Sequence, residues 1–285
     1  MMNDATSQEG EKSVLQEWQE SAPYWAKHAD IVRAMFAPIT QALMEAGSIR
    51  KGQVVLDVAG GAGEPSLSIS STVGASGRVF FTDAIAEMVT TARSEARRHA
   101  RTNIEFSQCV AESLPFPSDA FDAVVCRLGV MLFPDPLAAI REALRVVKPG
   151  GSVSYAVWAT RDSNPFFHVV MDIVSRYIES PPEDREAPGA FRFAEPGKLA
   201  HLVKEAGATE VTERLLEFTL EAPITPRQFW EVRSELSDTL RAKLAQLSSD
   251  QVARVGREAE RAGQDYFADG KMKFPAQVVI VTVRK

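Results

Sequence analysis

The alternation of short apolar runs with helix-like segments between residues 52 and 158 is the feature that most constrains the fold. Five runs rich in β-branched or aromatic residues are flanked by Gly, Pro, Asn or Asp: Gln53–Val58, Arg78–Thr82, Ile104–Cys109, Asp122–Arg127 and Ser152–Trp158. Ile85–Arg98 and Leu137–Val147 lie between these runs and have helical spacing of apolar residues. Strands that alternate with helices predict repeated βαβ units and a parallel sheet.

The flanking sequence predicts further elements around this core. An apolar stripe on Ile31, Met35, Ile39 and Leu43 indicates that residues 1–50 form a helical cap. Beyond residue 160 we expect a lid or substrate segment at 161–208, with a helix from about 165 to 178 and a Pro-rich, acidic loop. Residues 209–285 are expected to complete the same domain as the core at 51–160, through the strands and helices at 210–220, 226–263 and 276–284.

Composition limits the classes of function. The chain has 285 residues, of which 45% are hydrophobic and 25% charged, as is usual for a folded globular protein. The 32 basic residues are outnumbered by 38 acidic ones, which argues against a nucleic-acid partner held by a basic surface. The two cysteines, Cys109 and Cys126, have no neighbouring Cys or His at ligand spacing, so we expect neither disulfides nor a metal site.

The ends of the chain favour a cytoplasmic protein. The first twenty residues are polar and acidic, whereas a secretion signal has a basic stretch followed by a long apolar one. The apolar run Val278–Val283 is far shorter than the ~20 residues that cross a bilayer. We therefore expect no membrane insertion and a reducing compartment, with the protein a monomer or a homodimer.

The strongest chemical signal is the segment VVLDVAGGAGEP at residues 54–65. Its glycines allow a tight turn and close approach of the backbone to a ligand, and a helix beginning at Pro65 would present free N–H groups. The second strand ends about 20 residues later at Asp83, where a carboxylate can accept hydrogen bonds from a ribose diol. Together these features indicate a nucleoside-bearing cofactor.

Two other interpretations of this turn stay open. It could be a structural turn without a ligand, although Asp83 at the end of the second strand argues against that. It could also bind a nicotinamide dinucleotide, but the pattern G-x-G-x-x-G is not met, because Glu64, Pro65 and Ser66 follow Gly63.

Four blocks in order resemble the class I S-adenosylmethionine (SAM) dependent methyltransferases, especially the ubiquinone/menaquinone-biosynthesis C-methyltransferase branch. They are VVLDVAGGAGEP, VFFTDAIAEMVTTA, CVAESLPFPSDAFDAVVCR and REALRVVKPGGSVSYAVW, and they cover residues 50–160 well. The resemblance implies an α/β, Rossmann-like sheet of seven strands that are mostly parallel, with an antiparallel last strand. It also implies SAM as the methyl donor and S-adenosylhomocysteine (SAH) as the product.

The resemblance carries over a set of cofactor-binding positions. Ala59 to Gly63 would hold the methionine part of SAM, Asp57 would face its amino group, and Asp83 would bind the ribose. Ala59 stands where the family usually has a glycine, and Val110 stands where a polar residue often contacts adenine. The full set is Asp57, Ala59, Gly60, Gly61, Gly63, Asp83, Ala84, Met88, Val110, Ala111, Glu112 and Arg127.

Arg127 has two interpretations. It ends the fourth strand, where relatives often carry a small hydroxyl residue. It could pair with the SAM carboxylate or an anionic substrate, or it could form a salt bridge at the strand end. Both interpretations place it at the cleft.

The acceptor side of the site is predicted from position and residue type. His168 follows the fifth strand, so it is our candidate base, the alternative being an ordinary helix histidine. Aromatic residues gather where the family binds substrate: Tyr24, Trp25, Phe133, Trp158, Phe166, Phe167, Phe191 and Phe193. If they line the cleft, the acceptor is apolar and its cationic methyl donor is held by cation–π attraction.

The predicted function is methyl transfer from SAM to a small, fairly apolar acceptor through an O, N or C atom. The alternative is a SAM-binding protein with another role, such as a cyclisation or a non-catalytic scaffold. A nucleic-acid methyltransferase is disfavoured by the acidic balance and because no Asn/Asp-Pro-Pro-aromatic motif occurs.

Overall fold

A computed structural model describes residues 14–178 and 184–285 and shows a single mixed sheet. Its strands are β1 (Val54–Val58), β2 (Arg78–Asp83), β3 (Ile104–Gln108), β4 (Phe121–Arg127), β5 (Val147–Trp158), β6 (Glu210–Ala222), β7 (Phe267–Ala268) and β8 (Lys271–Arg284). The spatial order is β3-β2-β1-β4-β5-β8-β6, and the two-residue β7 pairs with β8 alone.

The strand directions confirm the predicted sheet. Strands β1 to β5 pair in parallel, whereas β8 runs antiparallel to both of its long neighbours, β5 and β6. The prediction of seven strands holds for the main order, and β7 is a short addition. Strand β8 begins five residues earlier than the predicted residue 276, because its pairing with β6 continues to Ala222 and Met272.

Helices cover the sheet. They are α1 (Val14–Lys27), α2 (Ala29–Ala46), α3 (Ser66–Val73), α4 (Ala86–Arg98), α5 (Pro136–Val146), α6 (Pro165–Val174), α7 (Lys198–Glu205), α8 (Pro226–Leu236), α9 (Asp238–Leu244) and α10 (Ser249–Gly263). Short 3₁₀ turns lie at Val130–Leu132, Arg161–Ser163 and Gln264–Tyr266. Within residues 14–178 and 184–285, no helix is both long and apolar enough to span a bilayer.

Helix α2 lies on the sheet through the apolar stripe that the sequence predicts. Met35, Ile39 and Leu43 are fully buried and contact the central strands, while Ile31 is only partly buried. The predicted lid loop falls partly on residues 179–183, which lie outside the described part of the chain.

The strand order creates a crevice beside β1. This strand pairs with β2 on one side and β4 on the other. The chain runs outward from β1 through β2 to β3, and then continues on the other side of β1 with β4 and β5. In open α/β sheets ligands bind at such a switch point, outside the carboxyl ends of the strands.

Candidate functional site

A cavity of about 360 Å³ opens at the carboxyl ends of β1, β2 and β4. This volume is in the range of small-molecule sites, which begins at about 300 Å³. The glycine turn after β1, the end of β2 and the start of α4 form one wall. Helices α1 and α2 and the segment after β4 form the other.

Backbone conformation fixes the turn between β1 and α3. Ala59 and Gly61 both have a positive φ, 57° and 58° respectively, which directs the chain back across the end of the sheet. The Gly60 N–H donates to the Thr82 carbonyl (3.0 Å), which ties the turn to β2. A Cβ on Gly60 would lie 2.3 Å from a ring carbon of Phe81, so only glycine fits between this ring and the cavity.

Asp83 presents its carboxylate to the cavity from the end of β2. Its Oδ2 accepts a hydrogen bond from Gly61 N–H and its Oδ1 accepts one from Ile85 N–H, both at 2.9 Å. Burial raises the pKa of this carboxyl group, while these backbone donors oppose the rise. Each oxygen keeps a lone pair for a further donor, so the carboxylate can accept hydrogen bonds from the two hydroxyl groups of a diol.

Asp57 is fully buried beneath the same turn and does not line the cavity. Its Oδ2 accepts hydrogen bonds from the Ser66 backbone N–H (3.0 Å) and from Ser66 Oγ (2.7 Å). Its Oδ1 has no hydrogen-bond partner within the described residues. Burial raises the pKa of Asp57 to about 7.

Arg127 lines the cavity at the end of β4. Its Nη1 donates to Thr40 Oγ1 (2.8 Å), and its guanidinium carbon lies 5.6 Å from the centre of the Phe36 ring. Burial lowers the pKa of Arg127, and the negative charges of Glu64 and Asp57 oppose this. No carboxylate in residues 14–178 or 184–285 forms a salt bridge with it, so the strand-end salt bridge is not observed.

A family model described as the ubiE/COQ5 methyltransferase family matches residues 37–179, which include the turn, Asp83 and Arg127. The chain belongs to this family. A ubiquinone/menaquinone biosynthesis C-methyltransferase UbiE of Hahella chejuensis is 36% identical over 133 residues, which cover 46% of this chain and 53% of that protein. The matched stretches thus span about half the length of the curated relatives.

Solved structures show the same fold at low identity. The YcgJ protein of Bacillus subtilis matches with a TM-score of 0.54 at 20% identity, over 86% of this chain and 97% of that one. A Haemonchus contortus phosphoethanolamine N-methyltransferase 2 matches with a TM-score of 0.57 at 15% identity, over 96% and 60% of the two chains. The resemblance predicted from the sequence is therefore confirmed for fold and family.

In this ubiE/COQ5 family member, ten of the twelve predicted cofactor residues line one cavity. They are Ala59, Gly60, Gly61, Asp83, Ala84, Met88, Val110, Ala111, Glu112 and Arg127. Asp57 lies below the turn, and Gly63 packs against Ala92 of α4.

The predicted aromatic wall is mostly elsewhere. Trp25 and Phe133 line the cavity, but six of the eight predicted substrate residues do not: Tyr24, Trp158, Phe166, Phe167, Phe191 and Phe193. Tyr24 stacks with the Arg241 guanidinium, with 4.8 Å between that group and the ring centre. Of the other five, Trp158 at the end of β5, Phe166 and Phe193 are buried in the apolar core, and Phe167 and Phe191 pack against it.

His168 is not placed at the cavity either. It lies on α6, a helix that packs against α8, α10 and β8, and its Nδ1 lies 3.1 Å from Asp172 Oδ2 one turn later. The prediction of a catalytic base at His168 is therefore not supported by its position. Its closeness to β5 in sequence was misleading, because α6 leaves the strand end on the side away from the glycine turn.

Sequence reasoning missed several lining residues. Trp18 on α1 and Phe36 on α2 reach the cavity, and Glu64 contributes a nearly buried carboxylate that accepts hydrogen bonds from Ser68. Phe36 directly follows Met35 of the apolar stripe, and that stripe was assigned to packing on the sheet. A signal for Glu64 was present, because it directly follows the last glycine of the turn.

Proposed function

We propose that this chain is a SAM-dependent methyltransferase that acts on a small, fairly apolar acceptor. The observation that supports this most directly is that the glycine turn and Asp83 line the same cavity. They meet there because β1 and β2, which they follow and end, are neighbours in the sheet. Family membership supports the same activity. The bound SAM of the Haemonchus structure fits the proposal as well.

The residues of the cavity match the parts of SAM by chemistry. The free lone pairs of Asp83 suit the ribose hydroxyls. Ala84, Met88 and Val110 offer apolar surface for the adenine ring, with backbone groups near Ala111 for its edge. The carboxylate of Glu64 lines the cavity beside the turn and makes this end negative, which suits an ammonium group.

The acceptor side is formed by the helices. When bound, SAM supplies an electrophilic methyl group that an acceptor atom attacks in line with the sulfonium, which leaves as a neutral thioether. The protein's work is to orient the two molecules and to exclude water. Trp25, Phe36 and Phe133 line the cavity with rings that tolerate a nearby cation.

The test uses the whole purified chain. SAM and SAH are titrated calorimetrically, and the protein is then incubated with methyl-labelled SAM and a panel of phenols, quinols, amines and carboxylic acids. A quinol is included because the Hahella relative is named for ubiquinone and menaquinone biosynthesis. We expect SAH together with a product heavier by one methyl unit.

Two outcomes would contradict the proposal. Failure to bind SAM or SAH would remove the cofactor assignment. Tight SAM binding with no SAH formed, while an acceptor is rearranged, would favour a cyclase-like role instead.

A further inference from the structure

One end of the cavity is mainly apolar, and the charged side chains that line it there are Arg127, Arg33 and Asp135. The lining there comes from α2 and from the segment after β4: Val32, Phe36, Leu128, Leu132 and Phe133. Arg127 enters this surface from the end of β4. A cation in apolar surroundings interacts strongly with any anion that reaches it.

The partners that hold Arg127 are neutral. Nη1 donates to Thr40 Oγ1 and the guanidinium faces the Phe36 ring. Arg33 also lines the cavity, but it is paired with Glu95 (3.3 Å) and Asp30. A guanidinium has five N–H donors, so Arg127 keeps most of its donors free.

The acids near Arg127 are engaged by other groups. Asp57 accepts hydrogen bonds from Ser66, and Glu64 accepts them from Ser68. Both act on the guanidinium through their charge without forming a salt bridge with it. They keep Arg127 cationic but leave its donors available.

The position of Arg127 separates it from the nucleoside end of the cavity. Strand β1 lies between β2, which ends at Asp83, and β4, which ends at Arg127. Two strand spacings amount to roughly 10 Å. With the ribose at Asp83 and the methionine part over the glycine turn, Arg127 lies beyond the turn, at the end of the cavity that the nucleoside does not occupy.

Resting on the proposed function, we infer that Arg127 binds an acidic group of the acceptor, which is therefore an apolar organic anion such as an aromatic carboxylate. Phe36 and Phe133 line the cavity beside it and would pack against the ring of such a molecule, while the guanidinium fork pairs with its carboxylate. Thr40 acts as a positioning residue that aims the fork.

The experiment uses 1-naphthoate and its uncharged isostere 1-naphthamide as probes. Each is titrated by calorimetry into the full chain saturated with SAH, after the affinity for SAH itself has been measured. We expect naphthoate to bind at least tenfold more tightly than naphthamide. Arg127→Met should abolish this preference and Arg127→Lys should retain part of it, with SAH affinity unchanged within threefold.

Two further variants sharpen the test. Thr40→Val should weaken naphthoate binding severalfold and leave naphthamide unaffected, because only the aim of the guanidinium changes. Arg93→Met is the matched control: Arg93 is also stacked on a phenylalanine, Phe106, but it lies on the exposed side of α4. It should bind both probes as the wild type does.

The possible failures are distinguishable. If the wild type does not bind SAH, the proposed function fails. If SAH binds but naphthoate shows no advantage over naphthamide, the assignment of Arg127 to the acceptor is overturned. A loss of SAH affinity greater than threefold in Arg127→Met would also overturn it, because the guanidinium would then belong to the cofactor's carboxylate.

Discussion

Two regions of the molecule each bury a charged side chain with an unpartnered atom. In the first, the glycine-turn region, Asp57 lies beneath the turn after β1. In the second, the aromatic region, Arg233 of α8 is 4% exposed and faces the rings of Phe166 (4.9 Å) and Phe167 (5.2 Å) of α6. Its Nε has no hydrogen-bond partner among the described residues.

The two buried charges respond differently to the same cost. A carboxyl group can take up a proton and become neutral, and burial raises the pKa of Asp57 to about 7. Burial also lowers the pKa of Arg233, to about 10, but this leaves it charged at neutral pH. The comparison teaches that the glycine-turn region can switch its charge near neutral pH, whereas the aromatic region carries a fixed one.

The largest effect should come from titrating Asp57. Its pKa is about 7 in the folded chain and 3.8 as the reference value, so the folded state keeps a proton that the unfolded state releases. The stability that this proton contributes is therefore fully present below about pH 4 and is lost as the pH rises from there through about 7. A tenfold change in proton affinity corresponds to about 1.4 kcal/mol, so the free energy of unfolding should fall by on the order of a few kcal/mol.

Asp57→Asn should flatten this dependence. The amide oxygen can still accept from Ser66, and no ionisation remains. Urea unfolding of the ligand-free protein between pH 4 and pH 8 measures the slope, and Asp162→Asn, at an exposed carboxylate, should retain the wild-type slope. Parallel curves for Asp57→Asn and wild type would show that Asp57 is not the titrating group.

The next effect concerns the carboxylate that the glycine turn presents to the ligand. Asp83→Ala should weaken SAM binding by about 1.5–3 kcal/mol, because hydrogen bonds to a charged group are lost. Calorimetric titration measures this, and circular dichroism checks that the variant is folded. Asp119→Ala, at a half-exposed carboxylate paired with Lys285, should bind SAM normally. Equal affinity for Asp83→Ala and wild type would refute the assignment.

A smaller effect is expected in the aromatic region. Arg233→Met removes a buried charge that lacks an ionic partner among the described residues. The methionine side chain can still pack on the phenylalanines. We expect the free energy of unfolding to rise by about 1 kcal/mol, since apolar residues often replace buried ions favourably. Arg93→Met, at an exposed arginine, should change it by less than about 0.5 kcal/mol. A destabilised Arg233→Met protein would mean that the guanidinium is compensated after all.

The smallest effect tests the backbone of the glycine turn. Ala59 has a φ of 57°, a conformation that costs an L-residue roughly 1–2 kcal/mol. Ala59→Gly removes that strain but adds freedom to the unfolded chain, so the net gain should be about 0.5 kcal/mol. Ala75→Gly, in a turn without positive φ, should lose stability instead. Denaturant unfolding compares the two, and a loss in both would contradict the strain at Ala59.

The same two regions show what the sequence could predict. The glycine turn, Asp83 and the strands around them were predictable because short-range signals specify them: an apolar run, a turn and an acid at the next strand end. The aromatic region was not, because its rings meet across α6, α8 and β8, which are distant in sequence. His168 illustrates this limit. Its position in the sequence predicted that it lies at the cleft, but the direction of α6 carries it away from there.

Strand β8 has a consequence for how the protein is made. It lies between β5 and β6, and β6 pairs with no other strand of the described chain. During synthesis, the half of the molecule that carries Asp83 can fold early. Strand β6 can pair only after residues 271–284 have emerged from the ribosome. During this interval the edge of β5 that later pairs with β8 is unpaired, and an unpaired strand edge can pair with another chain.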